Sequence, residues 1–201
     1  MNFPESTVFL VDDNPAMLHT TAALVEVVFP RVETFASAAD FLAAYRPERA
    51  GCLVLDVAMP GMNGLELHQK LLRDKVDLPV VFITGHGNVQ MAVGAMQAGA
   101  VNFLEKPFHE QSLWDSIRKA LESDAQNRRR KARRQLLQSR LSQLNEGERA
   151  VLNLILEGKI NKLIAEELGI STRTVEARRA RIMKKMGAHT VAELVQLTME
   201  H

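Results

Sequence analysis

Four short β-rich runs in the first half of the chain each end in a group able to do chemistry. Val8-Phe9-Leu10-Val11 leads into Asp12 and Asp13, Cys52-Leu53-Val54-Leu55 into Asp56, Val80-Val81-Phe82-Ile83 into Thr84, and Val101-Asn102-Phe103-Leu104 into Glu105 and Lys106. Carboxylates converging on one edge repel each other. A hard divalent cation with oxygen ligands, Mg²⁺ or Mn²⁺, would relieve that repulsion, and Lys106 offers a second compensating charge. An aspartate held beside such a cation, a lysine and a hydroxyl can accept a phosphoryl group, because all three stabilise its equatorial oxygens. Any one of these acids could instead cap the helix after its strand. For the whole set, each member following an apolar run, capping is a poor account. Met59-Pro60-Gly61-Met62-Asn63-Gly64 makes a turn-rich loop directly after Asp56, and Pro107 follows Lys106 with an isomer that could aim the lysine.

The elements that must position these groups are legible in outline. The four runs and Val32-Glu33-Thr34-Phe35 read as five strands, separated by amphipathic stretches near 14–29, 37–46, 64–74 and 88–98. That alternation predicts a doubly wound, five-stranded parallel α/β domain, in which ligands bind at the carboxyl ends of the strands. Past Pro107 neither Gly nor Pro occurs before Gly147, so one helix is expected from about Phe108 to Gln143. Leu113, Ile117 and Leu121 form one apolar stripe on it, and Leu137, Leu141 and Leu144 another. The polar segment from Asp124 to Gln135 reads as a solvated helical linker. The expected boundaries are 1–122 for the α/β domain, 123–143 for the linker and 144–201 for an all-α domain.

Composition narrows the classes. With 46% apolar and 24% charged residues among 201, the chain is neither disordered nor collagenous, and the single Cys52 excludes a disulfide framework. No apolar run reaches 18 residues and Met1-Asn2-Phe3-Pro4-Glu5 has no basic stretch, so neither a membrane span nor a secretory leader is expected, and the location expected is cytoplasmic. The net charge of +1 conceals a division: residues 1–123 hold 9 basic and 15 acidic side chains, residues 124–201 hold 16 and 9. Halves at −6 and +7 suggest different partners, an anionic polymer for the second.

The basic half has a pattern to match. A capping box, Asn145-x-x-Glu148, opens a helix through Val151, Leu152 and Ile155 that closes near Gly158. Ile160, Ile164 and Leu168 mark a second helix, Leu168-Gly169-Ile170-Ser171 a tight turn with Ser171 as the next N-cap, and a fourth helix begins near Thr190. On the third, Val175, Ile182 and Met186 face inward with Arg179 on the same side, while Arg173, Ala177, Ala180, Arg181 and Lys184 lie opposite. Alone, that basic face could be merely solvated. After a helix, a turn and a cap in series, it reads as a recognition helix for DNA. The run Arg128-Arg129-Arg130-Lys131-Ala132-Arg133-Arg134 reads either as a solvated linker face or as a source of salt-sensitive attraction to DNA.

Asp12-Asp13, Asp56 with Met59-Pro60-Gly61 and Gly64, Thr84-Gly85 and Lys106-Pro107-Phe108 resemble the receiver domain of two-component response regulators over about residues 5–122. The resemblance implies that Asp56 accepts phosphate from a sensor histidine kinase. It further implies that Asp12, Asp13, Asp56 and the backbone carbonyl of Ala58 hold Mg²⁺, that Thr84 and Lys106 bind the phosphoryl oxygens, and that Thr84 and Phe103 move as a switch. Gly85 would leave room for phosphate, and Ala58 and His86 occupy positions that tune dephosphorylation in that family. Residues 140–201 resemble the LuxR-type helix-turn-helix, with Gly147 and Arg178 in place of a usual arginine and histidine; Arg178 would add charge near DNA. By resemblance, Glu176, Ala177, Ala180 and Arg181 reach base edges, and Lys162, Arg173, Thr174 and Lys185 reach phosphates. Receiver then LuxR-type output resembles the FixJ/NarL subfamily. That implies a phosphorylation-dependent regulator of transcription rather than an enzyme, a homodimer when phosphorylated, binding promoter DNA as an activator with RNA polymerase. Two rival readings are a Mg²⁺-dependent phosphohydrolase with Asp56 as nucleophile, which leaves the basic half unexplained, and a DNA-binding protein whose first domain only dimerises.

Overall fold

The computed structural model describes residues 5–85 and 89–199. Contacts divide the chain into two compact units, one through Arg128 and the other from Arg129.

In the first unit β1 (Thr7–Val11), β2 (Val32–Phe35), β3 (Gly51–Asp56), β4 (Val80–Thr84) and β5 (Asn102–Glu105) form one parallel sheet in the order β2-β1-β3-β4-β5. The three interior strands are buried throughout and the two edge strands only partly. This is why the interior strands are almost wholly apolar in sequence. Helices α1 (Pro15–Glu26), α2 (Ala38–Ala44), α3 (Gly64–Arg73) and α4 (Val89–Gln97) intervene between strands, and α5 (Glu110–Ser142) follows β5. Alternate strand residues feed two cores. Phe9, Leu53, Leu55 and Phe82 meet Phe41, Leu67 and Leu71 on one face; Val8, Leu10, Val54 and Ile83 meet Val25, Leu113, Ile117 and Leu121 on the other.

The first unit runs through Arg128, past the boundary expected at residue 122. Asp124 is buried, accepts the Gly51 N–H at 2.9 Å and pairs with Arg128 at 2.8 Å. Arg128 in turn donates to the carbonyls of Pro47, Glu48 and Arg49. A carboxylate met by a backbone donor and a guanidinium can be buried, so these two polar residues belong to the first unit. Residues 129–135 are exposed, as their polarity predicts.

In the second unit the end of α5 packs with α6 (Glu146–Leu156), α7 (Asn161–Leu168), α8 (Thr172–Met186) and α9 (Val191–Met199) around Leu144, Val151, Ile155, Ile164, Val175, Ile182, Met186 and Leu194. Among the described residues, no helix is long and apolar enough to cross a membrane.

Candidate functional site

Register brings the first set of residues together. Val11 stands beside Leu55, and Asp56 beside Ile83, so Asp12 and Asp56 leave the sheet at one level. Thr84 pairs with Glu105, and its carbonyl accepts the Lys106 N–H at 2.7 Å, which fixes the lysine at the same edge. Lys106 Nζ donates to Asp12 Oδ2 at 2.8 Å and to Asp56 Oδ1 at 2.7 Å. Asp56 Oδ2 accepts the Ala58 N–H at 2.7 Å. Thr84 is fully buried, Asp13 is exposed beside Asp12, and Phe103 is half-buried with its ring centroid 6.1 Å from that of Phe82. The Lys106–Pro107 peptide is cis. His86 lies outside the described residues.

Helix capping does not occupy these carboxylates. Asn14 caps α1 by accepting the Ala16 and Met17 N–H groups, and Asn63 caps α3 in a reciprocal box with Glu66. Asp12 Oδ1 does accept the Asn14 N–H at 2.9 Å, which orients the acid and leaves the cap itself to Asn14. Gly64, the first residue of α3, is where the loop after Asp56 closes: its N–H donates to the Val57 carbonyl, and a Cβ there would lie 2.2 Å from the Asp56 carbonyl oxygen. At Gly85, by contrast, a Cβ would meet nothing within 4 Å, so packing does not demand the glycine expected to make room for phosphate.

Burial pushes the Asp56 carboxyl above its ordinary range, and the Asp12 charge adds to that, against the lowering pull of Lys106 and the Ala58 N–H. Burial opposes the Lys106 charge, but its bonds to Asp12 and Asp56 more than offset this and raise it. The edge is thus a carboxylate pair sharing one ammonium. Among the described residues, no three His, Cys, Asp or Glu side chains stand together as a ready metal cage. The donors present are all hard oxygens, the chemistry that suits Mg²⁺ or Mn²⁺.

The second set lies on α7 and α8. Gly169 closes α7 at φ +62°, a left-handed conformation that glycine adopts without steric cost, and Ser171 caps α8 by accepting the Thr174 N–H. Val175, Ile182 and Met186 are buried; Lys162, Arg173, Glu176, Ala177, Ala180, Arg181 and Lys184 are exposed. Thr174 is half-buried, with its hydroxyl 2.8 Å from that of Ser171.

Two residues depart from the expected set. Lys185, expected on a phosphate, donates to the buried Glu148 at 2.6 Å and to the Gln143 carbonyl at 3.0 Å. The Glu148 carboxyl is consequently held below its ordinary range, chiefly by Lys185. Arg178, expected to add charge near DNA, is half-buried and donates to the Gly147 carbonyl. Its guanidinium fills the space a side chain at 147 would take, since a Cβ there would lie 2.8 Å from Arg178 Cζ. The two departures from the usual residues are therefore sterically one.

Residues 8–118 match the response regulator receiver domain family, and residues 142–198 match the luxR family of bacterial regulatory proteins. The chain is 41% identical over 198 residues to the response regulator protein TmoT of Ectopseudomonas mendocina, covering 98% of this chain and 90% of that protein. It is 42% identical over 197 residues to the transcriptional regulatory protein FixJ of Azorhizobium caulinodans, covering 98% and 93%. The solved response regulator StyR superposes with a TM-score of 0.90 at 43% identity, over 98% of this chain and all of that one.

Proposed function

Because the chain belongs to the two-component response regulators that join a receiver domain to a LuxR-type DNA-binding domain, we propose that Asp56 is its phosphoryl acceptor and that phosphorylation there governs promoter binding through α8. The protein is a transcriptional regulator. Lys106, bonded to both Asp12 and Asp56, is the observation that carries the assignment of its acceptor. An ammonium already shared between two buried carboxylates stands where a phosphoryl group on Asp56 would need a cation.

In the transfer, an Asp56 oxygen bonds to phosphorus as the N–P bond of a kinase phosphohistidine breaks, leaving an acyl phosphate and a free imidazole. Mg²⁺ or Mn²⁺ held by Asp12, Asp13, Asp56 and the Ala58 carbonyl would neutralise the charge gathered there. Lys106 and the Thr84 hydroxyl bind phosphoryl oxygens, and Thr84 with Phe103 carries the change outward. Catalysis by the receiver is limited to gain and loss of its own phosphate. On DNA, Glu176, Ala177, Ala180 and Arg181 face base edges, and Lys162, Arg173, Thr174 and Lys184 the backbone. Lys185 holds Glu148 instead. The phosphorylated chain acts as a homodimer on paired half-sites, as an activator with RNA polymerase, in the cytoplasm.

Incubation with acetyl phosphate and Mg²⁺, followed by borohydride trapping and peptide mass spectrometry, tests the acceptor. The modification is expected on Asp56. A different labelled residue would overturn the assignment.

A further inference from the structure

We infer that the cationic stretch of α5 at residues 129–134 is a second, sequence-independent contact of the C-terminal unit with duplex DNA. This rests on the reading that the unit binds DNA at all.

Five of these six residues are Arg or Lys, and no acidic residue occurs between Asp124 and Glu146. Their spacing is costly for an isolated helix. Arg129 and Arg133, and Arg130 and Arg134, are four apart, and Lys131 and Arg134 three apart, so like charges are neighbours on the helix surface. Arg128, just before the stretch, pairs with Asp124 and donates to three carbonyls of the receiver unit.

The stretch is exposed throughout, and from residue 122 to 135 the helix has no apolar side chain larger than alanine. It can neither join a core nor enter a bilayer. A regular polyanion fits it, because binding exchanges self-repulsion for phosphate contacts and releases counterions. The fold places it with the recognition helix: the compact unit begins at Arg129, Leu137 is buried in that unit's core, and Arg140 donates to the Met186 carbonyl of α8 at 2.6 Å.

The test uses the full chain and a mixed-sequence DNA duplex, with affinity measured against salt. In the triple variant Arg129→Gln, Lys131→Gln, Arg134→Gln, the slope of log K against log salt should become shallower by about 2 to 3, near 0.9 per lost phosphate contact. Gln keeps helix propensity, and circular dichroism checks that α5 persists. The charge-retaining variant Arg129→Lys, Arg134→Lys should keep the wild-type slope. An unchanged slope in the triple variant overturns the inference. Absence of salt-dependent binding by the wild type overturns both this inference and the DNA reading of α8. If Arg173→Gln with Lys184→Gln leaves binding intact while the triple variant weakens it, the α8 reading fails and the cationic stretch stands.

Discussion

Lys106 Nζ lies 2.7 Å from Asp56 Oδ1, with the lysine side chain 15% exposed and the aspartate side chain 7%. Even so, burial and then Asp12 outweigh this bond and raise the Asp56 carboxyl. An acid raised by folding contributes stability below its unfolded value, about 3.9, and that contribution is lost as pH rises through the folded value. Asp56→Asn, which leaves Lys106 its bond to Asp12, should therefore unfold in urea at an equal or higher midpoint at pH 7. The advantage should fade as pH falls toward 4. Fluorescence of Trp114, the single tryptophan, which donates to the Leu24 carbonyl within the receiver unit, reports the transition.

Gly64 governs the geometry of the same edge through its backbone. Gly64→Ala would press a methyl against the Asp56 carbonyl, and relief requires movement of β3 or of the start of α3. The expected loss is about 1–3 kcal/mol of receiver stability, with slower labelling by acetyl phosphate. Unchanged midpoint and labelling rate would show that the close approach is unimportant.

Glu148 gives the C-terminal unit an acid-sensitive point. Its carboxyl, lowered first by Lys185, contributes stability above its unfolded value of about 4.3 that is lost as pH falls through the folded value. Glu148→Gln can keep the bond to the Asn145 N–H but loses the charge that meets Lys185. It should cost on the order of 1–3 kcal/mol at pH 7 and abolish the acid dependence. Hydrogen exchange of α6 and α8 amides reads this unit directly.

His68 gives the receiver an acid sensitivity of its own, opposite in sign to that of Asp56. It is buried, its ring centroid 5.4 Å from that of Phe82, and burial lowers its basicity. Receiver stability should hold above about pH 6.5 and decline as pH falls below it, because the unfolded histidine takes up a proton first. Urea midpoints of His68→Leu should lack that decline.

The strand ends are readable in the sequence because each interior strand is an unbroken apolar run stopping at a polar residue, and Ser171 is readable because a cap precedes a periodic helix. Asp124 is not. An acid in a polar helical stretch looks solvated, and its partner is the backbone N–H of Gly51, 73 residues away. Lys185 is set on a phosphate by resemblance alone; Glu148, 37 residues away on α6, takes it inward. Arg178 misleads for the same reason, since the space vacated at Gly147 exists only once α6 and α8 pack together. Local periodicity reports which face a residue occupies, while the fate of a long charged side chain depends on contacts that only the fold creates.

The most direct test is operator binding by wild type and Asp56→Asn, each with and without acetyl phosphate and Mg²⁺, on DNA fragments first selected by the phosphorylated wild-type protein. Phosphorylation should tighten wild-type binding by roughly 10- to 100-fold, the usual range of coupling between two sites, and leave Asp56→Asn unlabelled and unchanged. Equal tightening of Asp56→Asn, with phosphate incorporated elsewhere, would contradict the assignment of Asp56 as the switch.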